Sequence, residues 1–201
     1  SILGNDVIEK ISVWAEKIPT ISELVEFLSL EFQIDITSDL DIVNGYERDC
    51  SNINGNAEVL CRPINELECA LLLRCCQSVK IPLTISAGRT NLTGSATPEG
   101  GVILSIEKMT QPGVKVNIES KILTTPVGLY LEDMRKAALT QSNNKLHYPV
   151  DPTSRMEAMV GGTLSCNASG FIPGPAGETR YWTEVLEFIP SNGFKVSCNR
   201  V

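Results

Sequence analysis

The sequence predicts an α+β protein of two lobes, and three observations carry that expectation. A strand, a helix, a second strand and a glycine loop follow one another over residues 58–94, the order of a βαβ unit. Beyond Met109 the texture changes to short alternating segments joined by polar turns, as antiparallel pairs require. Two loops of small residues, Ser86 to Gly94 and Gly161 to Gly170, each follow an extended segment, one in each half.

The elements are read in order. Ser22-Glu23-Leu24-Val25-Glu26-Phe27-Leu28 reads as an amphipathic helix with Ser22 as its cap, and the acidic, Asn-rich run from Asp35 to Asn56 as a long irregular connection. Glu58-Val59-Leu60-Cys61 has the continuous apolar character of a buried strand, ended by Arg62-Pro63, and Asn65 is placed to cap a helix over Glu66 to Val79. Ile81 to Ile85 is the second strand and leads straight into the first loop; Gly101 to Ile106 is the third, ending near Lys108-Met109, where we place the lobe boundary. Val114 to Asn117 and Lys121 to Val127 alternate across a short polar turn and predict a hairpin. Leu131 to Leu139 predicts a helix with Leu131, Met134, Ala138 and Leu139 near one face. Val185 to Ile189 and Phe194 to Ser197 flank Pro190-Ser191-Asn192-Gly193, whose Asn-Gly step favours a hairpin turn. The domains expected are therefore a helical lead-in over 1–56, a first lobe over 57–109 and a second over 110–201.

Composition narrows the functions. The 201 residues are 42% hydrophobic, enough for a sizeable core, and no stretch reaches the roughly 20 apolar residues of a membrane span. Glu66, Glu68, Arg74 and Gln77 interrupt the longest apolar-rich segment of the first half. The net charge is -7, with 24 acidic against 17 basic residues and no Lys/Arg cluster, which argues against nucleic acid as a partner. No basic start followed by an apolar run opens the chain as a secretory signal would, so the expected location is cytoplasmic. The seven cysteines show neither Cys-x-x-Cys nor partnered histidines, so no metal site is expected; they read as reduced and mostly buried small hydrophobes.

Small residues with bare backbone N–H groups can curl around an anion without side chains holding it off, so two such loops suggest one long phosphate-bearing ligand. With few cations available, backbone amides would do most of the holding, helped by isolated cations such as Arg89 and Arg180. Ordinary turns use the same residues, and the order and flanks of the loops decide between the two readings.

Those flanks resemble a known family from about Ala57 onward. Cys61-Arg62-Pro63, Ile81-Pro82-Leu83-Thr84 running into Gly88-Arg89-Thr90-Asn91-Leu92-Thr93-Gly94, Gly101-Val102-Ile103-Leu104 and Tyr148-Pro149-Val150-Asp151-Pro152 occur in that order. Gly161-Gly162, Asn167-Ala168-Ser169-Gly170 and Gly177-Glu178-Thr179-Arg180 follow. Together they resemble the FAD-binding (PCMH-type) domain of the vanillyl-alcohol oxidase superfamily, on the branch of glycolate oxidase and D-lactate dehydrogenase FAD subunits. The resemblance implies a small βαβ lobe packed against a larger, mainly antiparallel sheet with flanking helices, and FAD stretched between the lobes.

Carried over position by position, the resemblance implies that Ser86, Ala87, Gly88, Arg89, Thr90, Asn91, Leu92 and Gly94 hold the pyrophosphate. Pro149, Asp151, Pro152, Gly161, Gly162, Ser165, Cys166, Asn167 and Gly170 would lie along the ribityl chain and ring, with Gly177, Thr179 and Arg180 nearby. The family's first loop often reads Arg-Gly-x-Gly-Thr; here Ser86, Ala87 and Arg89 stand for the Arg and the two glycines. Covalent members attach flavin through His or Cys at set positions, and neither loop holds a His, so non-covalent FAD is expected, with Cys166 in the second loop the one exception to exclude. A further glycine-bearing segment and a substrate domain normally follow, so the chain reads as an N-terminal fragment whose second lobe is incomplete.

The activity so implied is oxidation of a small 2-hydroxy acid such as glycolate or D-lactate; the electron acceptor stays open among oxygen, a quinone, a cytochrome and an iron–sulfur partner, with an electron-acceptor subunit among the partners it allows. Two alternatives stand beside it: a non-catalytic FAD-binding or assembly subunit of a larger complex, and another superfamily enzyme such as a sugar or alditol oxidase or a cell-wall precursor reductase. The single histidine, His147, precedes Tyr148-Pro149 and reads as a half-exposed loop residue rather than a general base. No catalytic residue is assigned.

Overall fold

The computed structural model describes residues 2–200. Contacts divide the chain into two compact units: 1–86, 91–105 and 185–201 form the first, and 87–90 with 106–184 the second.

The first unit begins with α1 (Asn5–Ala15) and α2 (Ile21–Phe32), joined by Trp14 stacked on Phe27 at 4.6 Å between ring centroids. The cap of α2 is Thr20 rather than Ser22. Thr20 and Glu23 make a reciprocal capping box, in which the Glu23 N–H donates to the Thr20 hydroxyl oxygen and the Glu23 carboxylate accepts from the Thr20 N–H. The run after Asp35 is likewise more regular than expected. It holds the short strand β1 (Ile36–Thr37) and a helical turn α3 (Leu40–Val43) capped by Asp39. Val43 is buried with Ala57, Leu60 and Ile103, and that apolar anchor within a polar run fixes the segment.

A four-stranded sheet follows, in the order β1-β2-β4-β3, from β2 (Val59–Cys61), β3 (Leu83–Ser86) and β4 (Val102–Ser105). The β2–β4 and β4–β3 pairs are parallel and β1 is antiparallel to β2. The strand–helix–strand unit is thus split, with β4 inserted between the strands that α4 (Glu66–Val79) connects. Its bounds are the expected ones. The Asn65 side chain accepts from the Glu68 N–H, Glu66 and Glu68 complement the helix N-terminus, and Lys80 ends the helix in the left-handed region. Ala70, Leu71, Leu72, Leu73, Cys75 and Cys76 are buried, and β2 and β4 are buried throughout, as interior parallel strands require.

The closing hairpin, β7 (Val185–Phe188) with β8 (Val196–Asn199), belongs to this first unit and is tied to α4. The Lys195 ammonium pairs with Glu66, and the Arg74 guanidinium donates to the Asn192 carbonyl oxygen. The Asn-Gly step does not form a two-residue turn. The ladder starts at Phe188 opposite Val196, and the Gly193 N–H donates to Pro190 O, so Ser191 and Asn192 are the central residues of the turn.

The second unit holds the hairpin β5 (Lys115–Asn117) with β6 (Ile122–Thr124), the helix α5 (Leu131–Gln141) and the single-turn helix α6 (Val160–Ser165). Leu131 and Met134 pack with Val160, and half-buried Val114, Leu123, Leu129, Tyr148 and Leu164 cover them. The protein is a mixed α and β structure, as expected. Among the described residues, antiparallel pairing in this unit is confined to β5–β6 and an isolated bridge from Tyr130 to Met159. No helix among the described residues is long and apolar enough to cross a membrane.

Candidate functional site

The first loop leaves β3 at Ser86, which is fully buried, and runs half-buried through Ala87, Gly88, Arg89, Thr90 and Asn91 before exposing Leu92. Gly88 is required by its surroundings: a β-carbon there would stand 2.1 Å from the Glu157 carbonyl oxygen. Gly94 adopts φ +77° beside Ile53. Arg89, one of the residues in place of a family glycine, takes φ 54°, so a cationic side chain occupies a left-handed position that glycine fills at least strain. The side-chain amide of Asn91 donates to Asp49 at 2.6 Å and to Ser95 at 3.0 Å, and the Ala96 N–H also donates to Asp49. Burial alone would raise the Asp49 pKa, but hydrogen bonds from Ser51, Asn91 and Ala96 outweigh it and hold the carboxyl below its ordinary range. Asp49 therefore fixes the outgoing limb of the loop.

Amide accounting separates the two loops. Among the described residues, no protein acceptor takes the N–H of Ala87, Gly88, Thr90, Asn91 or Leu92. Half-buried amides without a protein partner are unusual, and a row of them in a loop of small residues is the donor set that cradles an anion. In the second loop most amides are used internally: Gly161 donates to Val127, Thr163 to Met159, Cys166 to Gly162, Asn167 to Leu164 and Ala168 to Thr163. The first loop can donate to a ligand, whereas the second is a shaped wall.

The two loops touch. A β-carbon on Gly162 would lie 3.2 Å from the Ala87 Cβ, and Gly161 is confined by Ile106 and Val127. The Ser165 hydroxyl donates to Gly161 O and is spent on its own helix, while Cys166 is exposed and ends α6. Asn167, at φ 47°, binds the stretch that follows through its side chain: Oδ1 accepts from the Arg180 N–H at 2.9 Å and Nδ2 donates to Glu178 at 3.0 Å. The buried Thr179 donates to Ala168 O through both its N–H and its hydroxyl. The three expected blocks after Gly161 thus form one hydrogen-bonded body. Gly177 is buried with its Cα against Ile172 O, and the exposed Arg180 pairs with Glu178 at 3.2 Å.

Asp151 is placed by its backbone as well as its side chain. Its carbonyl oxygen accepts from the Phe171 N–H and would meet a Gly170 β-carbon at 1.9 Å. Its carboxylate pairs with Arg155 at 2.5 Å and Arg135 at 2.9 Å, and both guanidinium groups also reach Glu132. The hydrogen bond from Arg155, with charge from Arg135 added, holds the Asp151 carboxyl below its ordinary range. The carboxylate is therefore occupied by protein partners. Pro152 is buried and Pro149 half-buried. His147 is exposed beside a small cavity of about 140 Å³ that Arg135, Arg155 and Tyr148 also line.

Sequence reasoning missed Asp49, Glu132, Arg135, Arg155 and Glu178, which position the site residues. The Asp151–Arg155 spacing of four carries a faint signal; Asp49 with Asn91, or Arg135 with Asp151, has none. Of the cysteines, Cys61, Cys75 and Cys76 are buried and Cys69 is half-buried, while Cys50, Cys166 and Cys198 are exposed, so the thiols divide more evenly than expected. No metal-binding cluster occurs among the described residues.

This chain is similar to known flavoproteins. The family model for the FAD binding domain matches residues 57–199. D-2-hydroxyglutarate dehydrogenase of Xanthomonas citri pv. viticola is 31% identical over 133 residues, 66% of this chain and 27% of the relative. The glycolate oxidase subunit GlcD of Bacillus subtilis is 30% identical over 132 residues, 65% of this chain and 27% of the relative. The chain thus spans little more than a quarter of the length of these relatives. Among solved structures, an alkyldihydroxyacetonephosphate synthase superposes with a TM-score of 0.72 over 90% of this chain and 37% of its own, at 15% identity, a likeness of fold. With a row of undonated amides in one glycine loop, a second glycine loop against it and the family match across both, the chain belongs to the FAD binding domain family and its cofactor is FAD.

Proposed function

We propose that this chain is the FAD-binding part of a cytoplasmic flavin-dependent oxidoreductase that oxidises a small 2-hydroxy acid such as glycolate or D-lactate. The observation that carries the reading is the set of N–H groups of Ala87, Gly88, Thr90, Asn91 and Leu92, which no protein acceptor takes among the described residues, in a loop packed through Ala87 against Gly162. We assign the pyrophosphate to the first loop, with Ser86, Ala87, Gly88, Arg89, Thr90, Asn91, Leu92 and Gly94. The ribityl chain and ring go to Pro149, Asp151, Pro152, Gly161, Gly162, Ser165, Cys166, Asn167 and Gly170, with Gly177, Thr179 and Arg180 behind them. Because the Asp151 and Ser165 side chains are engaged within the protein, these two residues act through their backbone.

When bound, the flavin supplies the acceptor for the hydride-equivalent from the substrate's α-carbon. The chain's own contribution is binding and orientation. The first loop offers backbone dipoles to negative charge without a reorganisation cost, and the hydrogen-bonded segments over 161–180 form the wall against which the ligand is held. The absence of histidine from both loops supports non-covalent attachment. Seven cysteines without a disulfide among the described residues support a reducing compartment. The 2-hydroxy-acid assignment rests on relatives such as the D-2-hydroxyglutarate dehydrogenase and the glycolate oxidase subunit above, and an electron-acceptor partner is part of the same proposal.

The test is titration of FAD into the purified chain, followed by denaturation. Saturable quenching of flavin fluorescence, with all the flavin released on denaturation, is the expected result. Absence of saturation at tens of micromolar FAD would overturn the reading.

A further inference from the structure

Resting on that reading, we infer that Arg135 and Arg155 are positioning residues for the flavin site, acting as a two-armed clamp that sets the backbone of Tyr148 to Pro152. The clamp has a specific geometry. Arg155 Nη1 lies 2.5 Å and Arg135 Nη1 2.9 Å from the same oxygen, Asp151 Oδ1. Both guanidinium groups also reach Glu132 Oε2 at 3.4 Å, so two cations and two anions alternate. The Nε of Arg135 donates to the Tyr148 carbonyl oxygen at 3.4 Å, which ties the start of the segment as well as its end. Glu132 and Arg135 stand on α5, whose buried face is locked by Leu131 and Met134. The Glu132 N–H donates to Arg155 O, which joins the helix to the turn that carries the second arginine. The clamp is therefore referenced to the core of the second unit.

Its output is the Asp151 carbonyl oxygen. That atom accepts from the Phe171 N–H and is the one a Gly170 β-carbon would strike at 1.9 Å, so the place of Asp151 dictates where the Asn167 to Gly170 loop can lie. With its four charges partnered inside the cluster, it presents little net charge outward. That arrangement suits positioning rather than direct attraction of a charged ligand. The Arg135 and Asp151 side chains are between a fifth and a quarter exposed, screened enough to hold geometry without the full cost of burying ions.

The experiment compares FAD affinity with local amide exchange in Arg155→Gln, Arg155→Lys, Asp151→Asn and the Asp151→Asn/Arg155→Gln double variant. Arg155→Gln is expected to weaken FAD binding about tenfold and Asp151→Asn, which also discharges the Arg135 pair, at least as much, with the double variant no weaker than Asp151→Asn alone, because that substitution already removes the pair with Arg155. Arg155→Lys keeps the charge beside Asp151 and falls between the parent and Arg155→Gln, a rescue that simple loss of packing does not give. In the FAD-free protein, exchange at the Phe171 amide rises in Arg155→Gln while exchange within α4 stays at the parent value. Exchange at α4 and at Ala138 of α5 verifies the fold of the first and second units in each variant. If the parent binds FAD and both single variants bind within twofold of it, or if Phe171 exchange is unchanged, the clamp is overturned and the FAD reading stands. If the parent shows no saturable binding, the FAD reading falls, and this inference with it.

Discussion

A β-carbon on Gly88 would stand 2.1 Å from the main-chain oxygen of Glu157 and 3.1 Å from the Ala158 Cα, so the first glycine loop lies backbone to backbone on the turn before α6. No flexible side-chain end is there to give way. Gly88→Ala must shift either the loop or the turn, and is expected to cost about 1–3 kcal/mol of stability, as other overpacked sites do. It should also weaken FAD binding at least tenfold, since the undonated amides move with the loop. Gly45→Ala is the matched control: nothing lies within 4 Å of its β-carbon, and its stability should stay within about 0.5 kcal/mol of the parent. Urea unfolding and FAD titration of the two variants check both statements.

Arg89 offers a test of backbone strain that cancels the side chain's own interactions. At φ 54° an alanine bears the left-handed penalty and a glycine does not. Arg89→Gly should therefore be more stable than Arg89→Ala by about 1 kcal/mol, which for a protein of this size separates their thermal midpoints by about 2–4 °C. Both variants lose the guanidinium equally, so equal midpoints would mean that the loop relaxes out of the left-handed region once the arginine is gone.

How much of this was legible in the sequence depends on how local the cause is. The bounds of α4 follow from Asn65 and the apolar run behind it, and both lie within the helix itself. The start of α2 was equally local, since Thr20 and Glu23 stand three apart as a capping box requires, but Ser22 looked like an adequate cap and drew the boundary inward. The short strand β1 was hidden because two residues carry no period. Gly88 was recognisable as a loop glycine, whereas its reason, the carbonyl of Glu157, lies 69 positions away. The same holds for Asp49 beneath Asn91 and for Arg135 beside Asp151: the side chains that orient the site come from other elements, and one sequence holds no record of those meetings.

The buried thiols give the stability an alkaline edge. Burial is the first cause at each: it pushes Cys69 up to about 11 and Cys76 to about 12, and raises Cys61 and Cys75 as well, with neighbouring thiols adding at Cys61 and Cys75. Groups raised in the folded state contribute stability that is fully present below the unfolded thiol value of about 8.5 and is lost as pH rises through the folded values. Between pH 9 and 10.5 stability should fall by about 1.4 kcal/mol per pH unit for each such thiol. Urea unfolding under reducing conditions across that range measures the slope. Cys76→Ala should remove one thiol's share of it, whatever its effect on the absolute stability. An unchanged slope would mean that Cys76 ionises as easily in the fold as out of it.

The exposed thiols test the ligand side of the site. Cys50, Cys166 and Cys198 are exposed, so a thiol reagent should label these three quickly and leave Cys61, Cys75 and Cys76 unreacted until the protein unfolds. Of the three, only Cys166 stands in a glycine loop assigned to FAD; Cys50 follows Asp49, the anchor of Asn91, and Cys198 lies on β8. Saturating FAD should therefore slow labelling at Cys166 severalfold and leave Cys198 at its free rate, with peptide mass spectrometry identifying the sites. Cys166→Ser should bind FAD as the parent does and release all of it on denaturation. Flavin that stayed with the parent chain but not with Cys166→Ser would instead identify Cys166 as a covalent attachment point. Equal protection of all three thiols would point to a general tightening of the protein rather than a ligand seated against the second loop.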